Sequence, residues 1–136
     1  MRLLLLALSI FVITGCGGSG PKTARVSGTV TMSGKPLAKV GVTFLPTKKG
    51  PAATGVTNDN GEFTLTTTRK GDGAVLGKHK VTVGIAEEGQ KGPAIAEIYA
   101  SPHTTKLTAE VQSGKTNVFT FDVEPEAPAP PKKGRK

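Results

Sequence analysis

The sequence predicts an all-β fold, a seven-stranded antiparallel β-sandwich, on three observations. Apolar residues recur at every second position in seven short runs, which is the period of a strand with one buried face. Clusters of Gly, Pro, Asn, Asp and Ser fall between most of those runs. Beyond the apolar leader, no stretch spaces its apolar residues at i, i+3, i+4 and i+7, so any helix is short.

The leader comes first. Arg2 precedes an apolar block at residues 3–13, and small residues follow, which is the layout of a secretory signal peptide over residues 1–15. A block of 11 residues is too short to span a bilayer, which takes about 20. Ile13-Thr14-Gly15-Cys16 resembles the bacterial lipobox, in which a signal peptidase cuts before the cysteine and the thiol then carries diacylglycerol. The resemblance implies lipidation at Cys16, with Ile13, Thr14 and Gly15 as the recognised residues. It also implies an exported, membrane-anchored protein at the outer membrane or cell surface, because Gly17 is not the aspartate that retains such proteins at the inner membrane. Cys16 is the only cysteine, so no intrachain disulfide forms, although export leads to a compartment that permits one. Residues 16–24, with Gly, Ser, Pro and Lys and no apolar pattern, make a flexible tether.

The alternation begins at Arg25 and defines one domain over residues 25–123. Val26, Gly28, Val30 and Met32 share a face in the first strand, and Ser33-Gly34-Lys35-Pro36 makes a turn. Val40, Val42 and Phe44 form the buried face of the second strand, with Gly41 and Thr43 opposite. A short third strand at residues 53–57 leads into Asn58-Asp59-Asn60-Gly61, the strongest hairpin signal in the chain, and Phe63 and Leu65 mark the return. Residues 69–77 read as a polar loop. His79, Val81, Val83 and Ile85 alternate with Lys80, Thr82 and Gly84 in the fifth strand. The alternation then fails, and Gly89, Gly92 and Pro93 indicate a loop. Leu107, Ala109 and Val111, then Phe119, Phe121 and Val123, supply the last two strands. Threonines fill the outward positions, where β-branched side chains suit the pleat.

From Glu124 the chain turns Pro-rich and then basic, so residues 124–136 are expected to be disordered. The whole chain carries a formal charge of +8, which favours polyanions such as anionic lipid or acidic wall polymer. Lys132, Lys133, Arg135 and Lys136 are the candidate polyanion contacts. No aromatic residue is interleaved with them for base stacking, and nucleic acid is not an expected partner.

Catalysis needs a convergent set of groups, and the residues offer little of one. His79 shares strand parity with Val81 and Val83 and is expected at the end of a buried face, whereas His103 sits in a loop. Neither has the short spacing to a second His, Cys or Asp that marks a zinc site. Asn58-Asp59-Asn60-Gly61-Glu62 gathers oxygens, but Glu62 lies too close to the glycine for a calcium loop. Gly71-Asp72-Gly73 lacks the Lys-Ser/Thr ending of a phosphate loop. No catalytic residue, metal ligand or cofactor is expected.

Three segments carry a family resemblance. Val26-Ser27-Gly28-Thr29-Val30 followed by Gly34-Lys35-Pro36-Leu37 and Val40-Gly41-Val42-Thr43-Phe44 resembles the opening of carboxypeptidase regulatory-like domains, which are prealbumin-like or transthyretin-like sandwiches. Asn58-Asp59-Asn60-Gly61-Glu62-Phe63 is similar to their Asp-x-x-Gly-x-Phe turn, and Gly77-Lys78-His79-Lys80-Val81 to their Gly-x-Tyr-x-Val strand, with His79 in place of the usual aromatic residue. The resemblance implies a prealbumin/Ig-like fold and an accessory, non-catalytic habit in a small bacterial lipoprotein. Transthyretin-like folds include a hydrolase with paired histidines and a Tyr-Arg-Gly-Ser end, but this chain ends Lys133-Gly134-Arg135-Lys136. The sequence therefore predicts a lipid-anchored envelope protein with a binding or structural module for an envelope protein or polysaccharide. The alternative is a wall- or polyanion-associated anchor acting through the basic tail.

Overall fold

The computed structural model describes residues 20–87 and 89–128. The seven expected runs form β2 (Val26–Met32), β4 (Val40–Pro46), β5 (Ala53–Val56), β6 (Glu62–Thr64), β8 (Gly77–Ile85), β9 (Thr108–Val111) and β10 (Asn117–Val123). Three two-residue strands join them: β1 (Thr23–Ala24), β3 (Lys35–Pro36) and β7 (Ala74–Val75). One sheet has the order β10-β2-β3, with β6 also paired to β2, and the other has the order β5-β4-β8-β9.

The inward positions of the two sheets meet in one core. Val26, Val30, Phe63, Phe121 and Val123 come from the first sheet, and Val40, Val42, Phe44, Val81, Val83 and Val111 from the second. Phe44 sits where the sheets meet, its ring 6.4 Å from Phe63, 5.7 Å from Phe119 and 6.0 Å from Phe121. Removing a fully buried ring of this kind from water contributes about 2–3 kcal/mol.

The turns follow the local chemistry. Ser33 and Gly34 take φ of 52° and 78°, the two positive values of a tight hairpin turn between β2 and β3. In the Asn58 turn the Asn58 Oδ1 accepts from the Asn60 and Glu62 N–H groups, both at 3.0 Å, so those oxygens serve the backbone. Gly61 completes this turn with φ 73°, and its carbonyl accepts from Val30 N–H at 2.8 Å.

The structure departs from the sequence expectation in three places. β10 pairs with β2 in parallel, Asn117 opposite Val26 through Val123 opposite Met32, while every other pairing is antiparallel. Alternation has the same period in both arrangements, so pattern cannot distinguish them. The end of the expected tether is part of the fold, because Thr23 and Ala24 pair with Val75 and Ala74, inside the stretch expected to be a loop. The Pro-rich segment is tied down at its start: Ile95 pairs with Pro125, and the Glu126 N–H donates to the Ala94 carbonyl at 2.9 Å. The segment between β8 and β9, where Gly89, Gly92 and Pro93 indicate a loop, contains a 3-10 turn at Glu97–Tyr99 that buries Tyr99.

Candidate functional site

The outer face of the β5-β4-β8 sheet is built from short side chains placed in rows by strand register. Val56, Gly41 and Gly84 lie opposite one another, and Thr54, Thr43 and Thr82 form the next row. Because two of the three residues in the first row have no side chain, the face is hollowed into a trough of about 520 Å³. Thr43, Thr54 and Thr82 line it with hydroxyls, and Val56 lines its apolar part. Val56, at the edge of the first row, is 58% exposed.

Packing does not demand these glycines. A Cβ built on Gly84 meets no atom within 4 Å, and one on Gly41 meets its nearest neighbour, the Ala86 Cα, at an ordinary 3.4 Å. Glycine in a strand interior costs stability relative to a residue with a side chain and commonly marks a place where another backbone approaches closely. Among the described residues, none that lines the trough is ionisable. The described lining offers hydrogen bonding through threonine hydroxyls plus apolar contact.

The histidines behave differently from each other. His79 is 1% exposed and stacks at a tilt on Phe44, centroid to centroid 5.6 Å. Its Nδ1 lies 2.9 Å from the Gly77 carbonyl, an acceptor only, so Nδ1 carries the proton. Nε2 is then a buried acceptor, and no donor among the described residues reaches it. Burial lowers the His79 pKa below 6.5 and outweighs the opposing effect of the Gly77 carbonyl. A second cavity of about 430 Å³ passes beside it, lined by Lys78, Lys80, Glu110 and Phe119 among others. His103 is exposed in the turn after Tyr99, its N–H donating to Ser101 Oγ at 3.3 Å.

Asp72 accepts hydrogen bonds from the Arg69, Thr67 and Thr68 N–H groups at 2.8, 2.7 and 3.0 Å. Those bonds, that of Arg69 foremost, hold its pKa below the ordinary 3.8 against the opposing effect of burial. The Gly71-Asp72-Gly73 stretch is thus a self-capped loop. Among the described residues, no three His, Cys, Asp or Glu side chains converge as metal ligands.

Cys16, Ile13, Thr14 and Gly15, together with Lys132, Lys133, Arg135 and Lys136, lie outside the described residues. The trough escaped sequence reasoning. Gly41 and Gly84 were visible as mid-strand glycines on outward positions, but their juxtaposition depends on the register between β4 and β8, which alternation leaves open.

No protein-family model matches this chain, and no curated protein matches it. Among solved structures it is similar to the crystal structure of a DUF3823 family protein from Parabacteroides merdae ATCC 43184, at 15% identity and a TM-score of 0.44. The likeness covers 79% of this chain and 47% of that one, so the chain spans about half the length of that protein.

Proposed function

We propose that this is an exported, lipid-anchored envelope protein whose β-sandwich is a non-catalytic binding module, and that the trough on the β5-β4-β8 face receives an extended segment of an envelope protein. The observation that carries this reading is the trough itself: Gly84 faces open space, a Cβ on Gly41 would meet only ordinary contacts, threonine hydroxyls flank them, and no ionisable group among the described residues lines the surface. An extended backbone fits such a site, because its N–H and C=O groups meet hydroxyls that donate and accept, and the missing side chains permit close approach.

A polysaccharide partner fits less well. Phe44, Phe63, Tyr99 and Phe121 are buried and Phe119 is half-buried, so no fully exposed aromatic ring among the described residues offers a stacking platform for a sugar. Anchorage rests on the lipobox resemblance at residues 13–16. Two acyl chains at Cys16 suffice for stable membrane attachment, where one gives only marginal binding. Membership of the carboxypeptidase regulatory-like group is part of the same proposal. Its motif segments fall on β2 and its turn, on the hairpin from β5 to β6, and on β8.

Two measurements test the reading. Intact mass of membrane-extracted protein is expected to show a chain beginning at Cys16 and carrying diacylglycerol, and a free thiol in membrane-bound protein rejects the anchor. Gly84→Val is expected to abolish retention of the partner from detergent-solubilised envelope, and equal retention by variant and wild type rejects the trough.

A further inference from the structure

The charged side chains of the sandwich sort by end. The described chain enters the fold at Lys22, whose carbonyl accepts from Leu76 N–H at 3.1 Å, beside the β1–β7 ribbon. The loop after β4 reaches the same end, since Thr47 N–H donates to the Lys78 carbonyl at 2.9 Å and Gly50 packs beside Val75. The loop after β6 joins them through Gly73 N–H, which donates to the Leu65 carbonyl at 3.1 Å. These contacts gather Lys22, Lys48, Lys49, Arg69, Lys70 and Lys78 at one pole, all of them exposed. Arg25, just before β2, and Lys115, in the turn between β9 and β10, extend the same surface.

Among the described residues only Asp72 and Glu110 oppose these eight cations, and the Asp72 carboxylate is occupied by the backbone of its own loop. The other end of the strands is reversed. Among the described residues it carries Lys35, Lys39 and Lys91 against seven carboxylates, among them Asp122, Glu124 and Glu126, while Lys80 and Lys106 lie between the two ends. The domain is therefore a charge dipole along the strand direction, with its positive pole where the tether joins.

We infer that this pole docks on the anionic headgroups of the bilayer, so that the sandwich stands upright on its tether end. The inference rests on the reading of Cys16 as the lipidated residue. Cys16 lies six residues before Lys22, so a fully extended tether reaches at most about 20 Å. That leash keeps the basic pole close to the surface, where fixed cations are attracted to anionic lipid within about one Debye length, roughly 8 Å at physiological salt. Docking also places the trough correctly for a partner. Val56, Gly41, Gly84 and Ile85 lie toward the far end of their strands, away from the bilayer.

The test uses residues 16–136 with Cys16→Ser, a chain that contains every described strand and core residue, mixed with phosphatidylcholine vesicles with or without phosphatidylglycerol. Binding is expected only to the anionic vesicles and only at low salt. Replacing Lys48, Lys49, Arg69 and Lys70 with Gln is expected to weaken it at least about a hundred-fold, since each cation near such a surface contributes roughly five-fold. Lys35→Gln, Lys39→Gln and Lys91→Gln together are expected to change it little, and so is removal of residues 132–136. An unchanged melting temperature shows that the four-Gln variant is folded, all four positions being exposed in loops. Undiminished binding by the four-Gln variant, loss on removing residues 132–136 alone, equal binding to neutral vesicles, or binding to a soluble acidic polymer without binding to vesicles each overturns the inference. Because this chain carries no lipid, its vesicle binding and the mass measurement at Cys16 fail independently.

Discussion

Gly28 in β2 has the Phe119 carbonyl and the Phe63 ring where a Cβ would stand, with the Phe63 Cζ at 2.7 Å, whereas Gly84 in β8 has nothing within 4 Å of that position. Both glycines sit in strands where β-branched residues flank them, Val26, Thr29 and Val30 around Gly28 and Thr82, Val83 and Ile85 around Gly84. The first glycine points inward and lets the parallel partner β10 and the Phe63 ring close over it. The second points outward and leaves a vacancy that folding does not use. A residue that weakens its strand and packs against nothing is better explained by what approaches from outside.

The largest expected effect comes from filling the crowded site. Gly28→Ala should destabilise the protein by about 3 kcal/mol, the upper range for forcing a methyl group into a packed interior, because the obstruction includes backbone that cannot rotate aside. A denaturant midpoint series checks it, and a cost near zero would mean that β10 is not held against β2 as described.

Next is the interior histidine, whose behaviour measures how dry the core is beside Phe44. The unfolded chain binds a proton on this imidazole near pH 6.5, and the folded chain binds it only at lower pH. The stability it contributes is therefore complete above 6.5 and declines as pH falls from there toward the folded value. His79→Phe should remove that decline while changing stability at neutral pH by about 1 kcal/mol or less, since the ring replaces an acceptor with no partner among the described residues. Melting temperatures between pH 7.5 and 5 report it, and an unaltered acid slope in the variant would contradict the buried position.

Asp72→Asn should cost about 1 kcal/mol at neutral pH, because the neutral amide accepts the three loop N–H groups less strongly. The carboxylate's contribution is present above pH 3.8 and fades as pH falls through its lower folded value, so wild type and variant should converge in strong acid. The smallest effect is expected at the vacant site. Gly84→Val should leave stability unchanged or raise it by about 0.5 kcal/mol, since valine suits a strand and meets no obstruction. A large loss there would mean that the trough is already filled by the protein itself.

The strands were legible because each needs only its own alternation, and the seven apolar runs fell on seven strands. His79 was legible as an inward residue for the same reason. What pattern could not supply was any relation between distant segments. The parallel pairing of Asn117 with Val26 joins residues far apart in sequence, and the Thr23–Val75 and Ile95–Pro125 pairings turn expected tether and tail into structure through backbone hydrogen bonds that leave no compositional mark. The trough belongs to the same class, since Gly41 faces Gly84 only after β4 and β8 have found their register. The basic pole likewise depends on which loops share an end.

Site-specific photo-crosslinking in the intact envelope tests the central claim most directly, with the crosslinker placed at Thr82 in the trough or at exposed Thr120 on the other sheet. The account predicts a discrete protein adduct from Thr82 that disappears when Gly84→Val is added, and none from Thr120. Equal adducts from both positions, or an adduct at Thr82 that survives Gly84→Val, would contradict it.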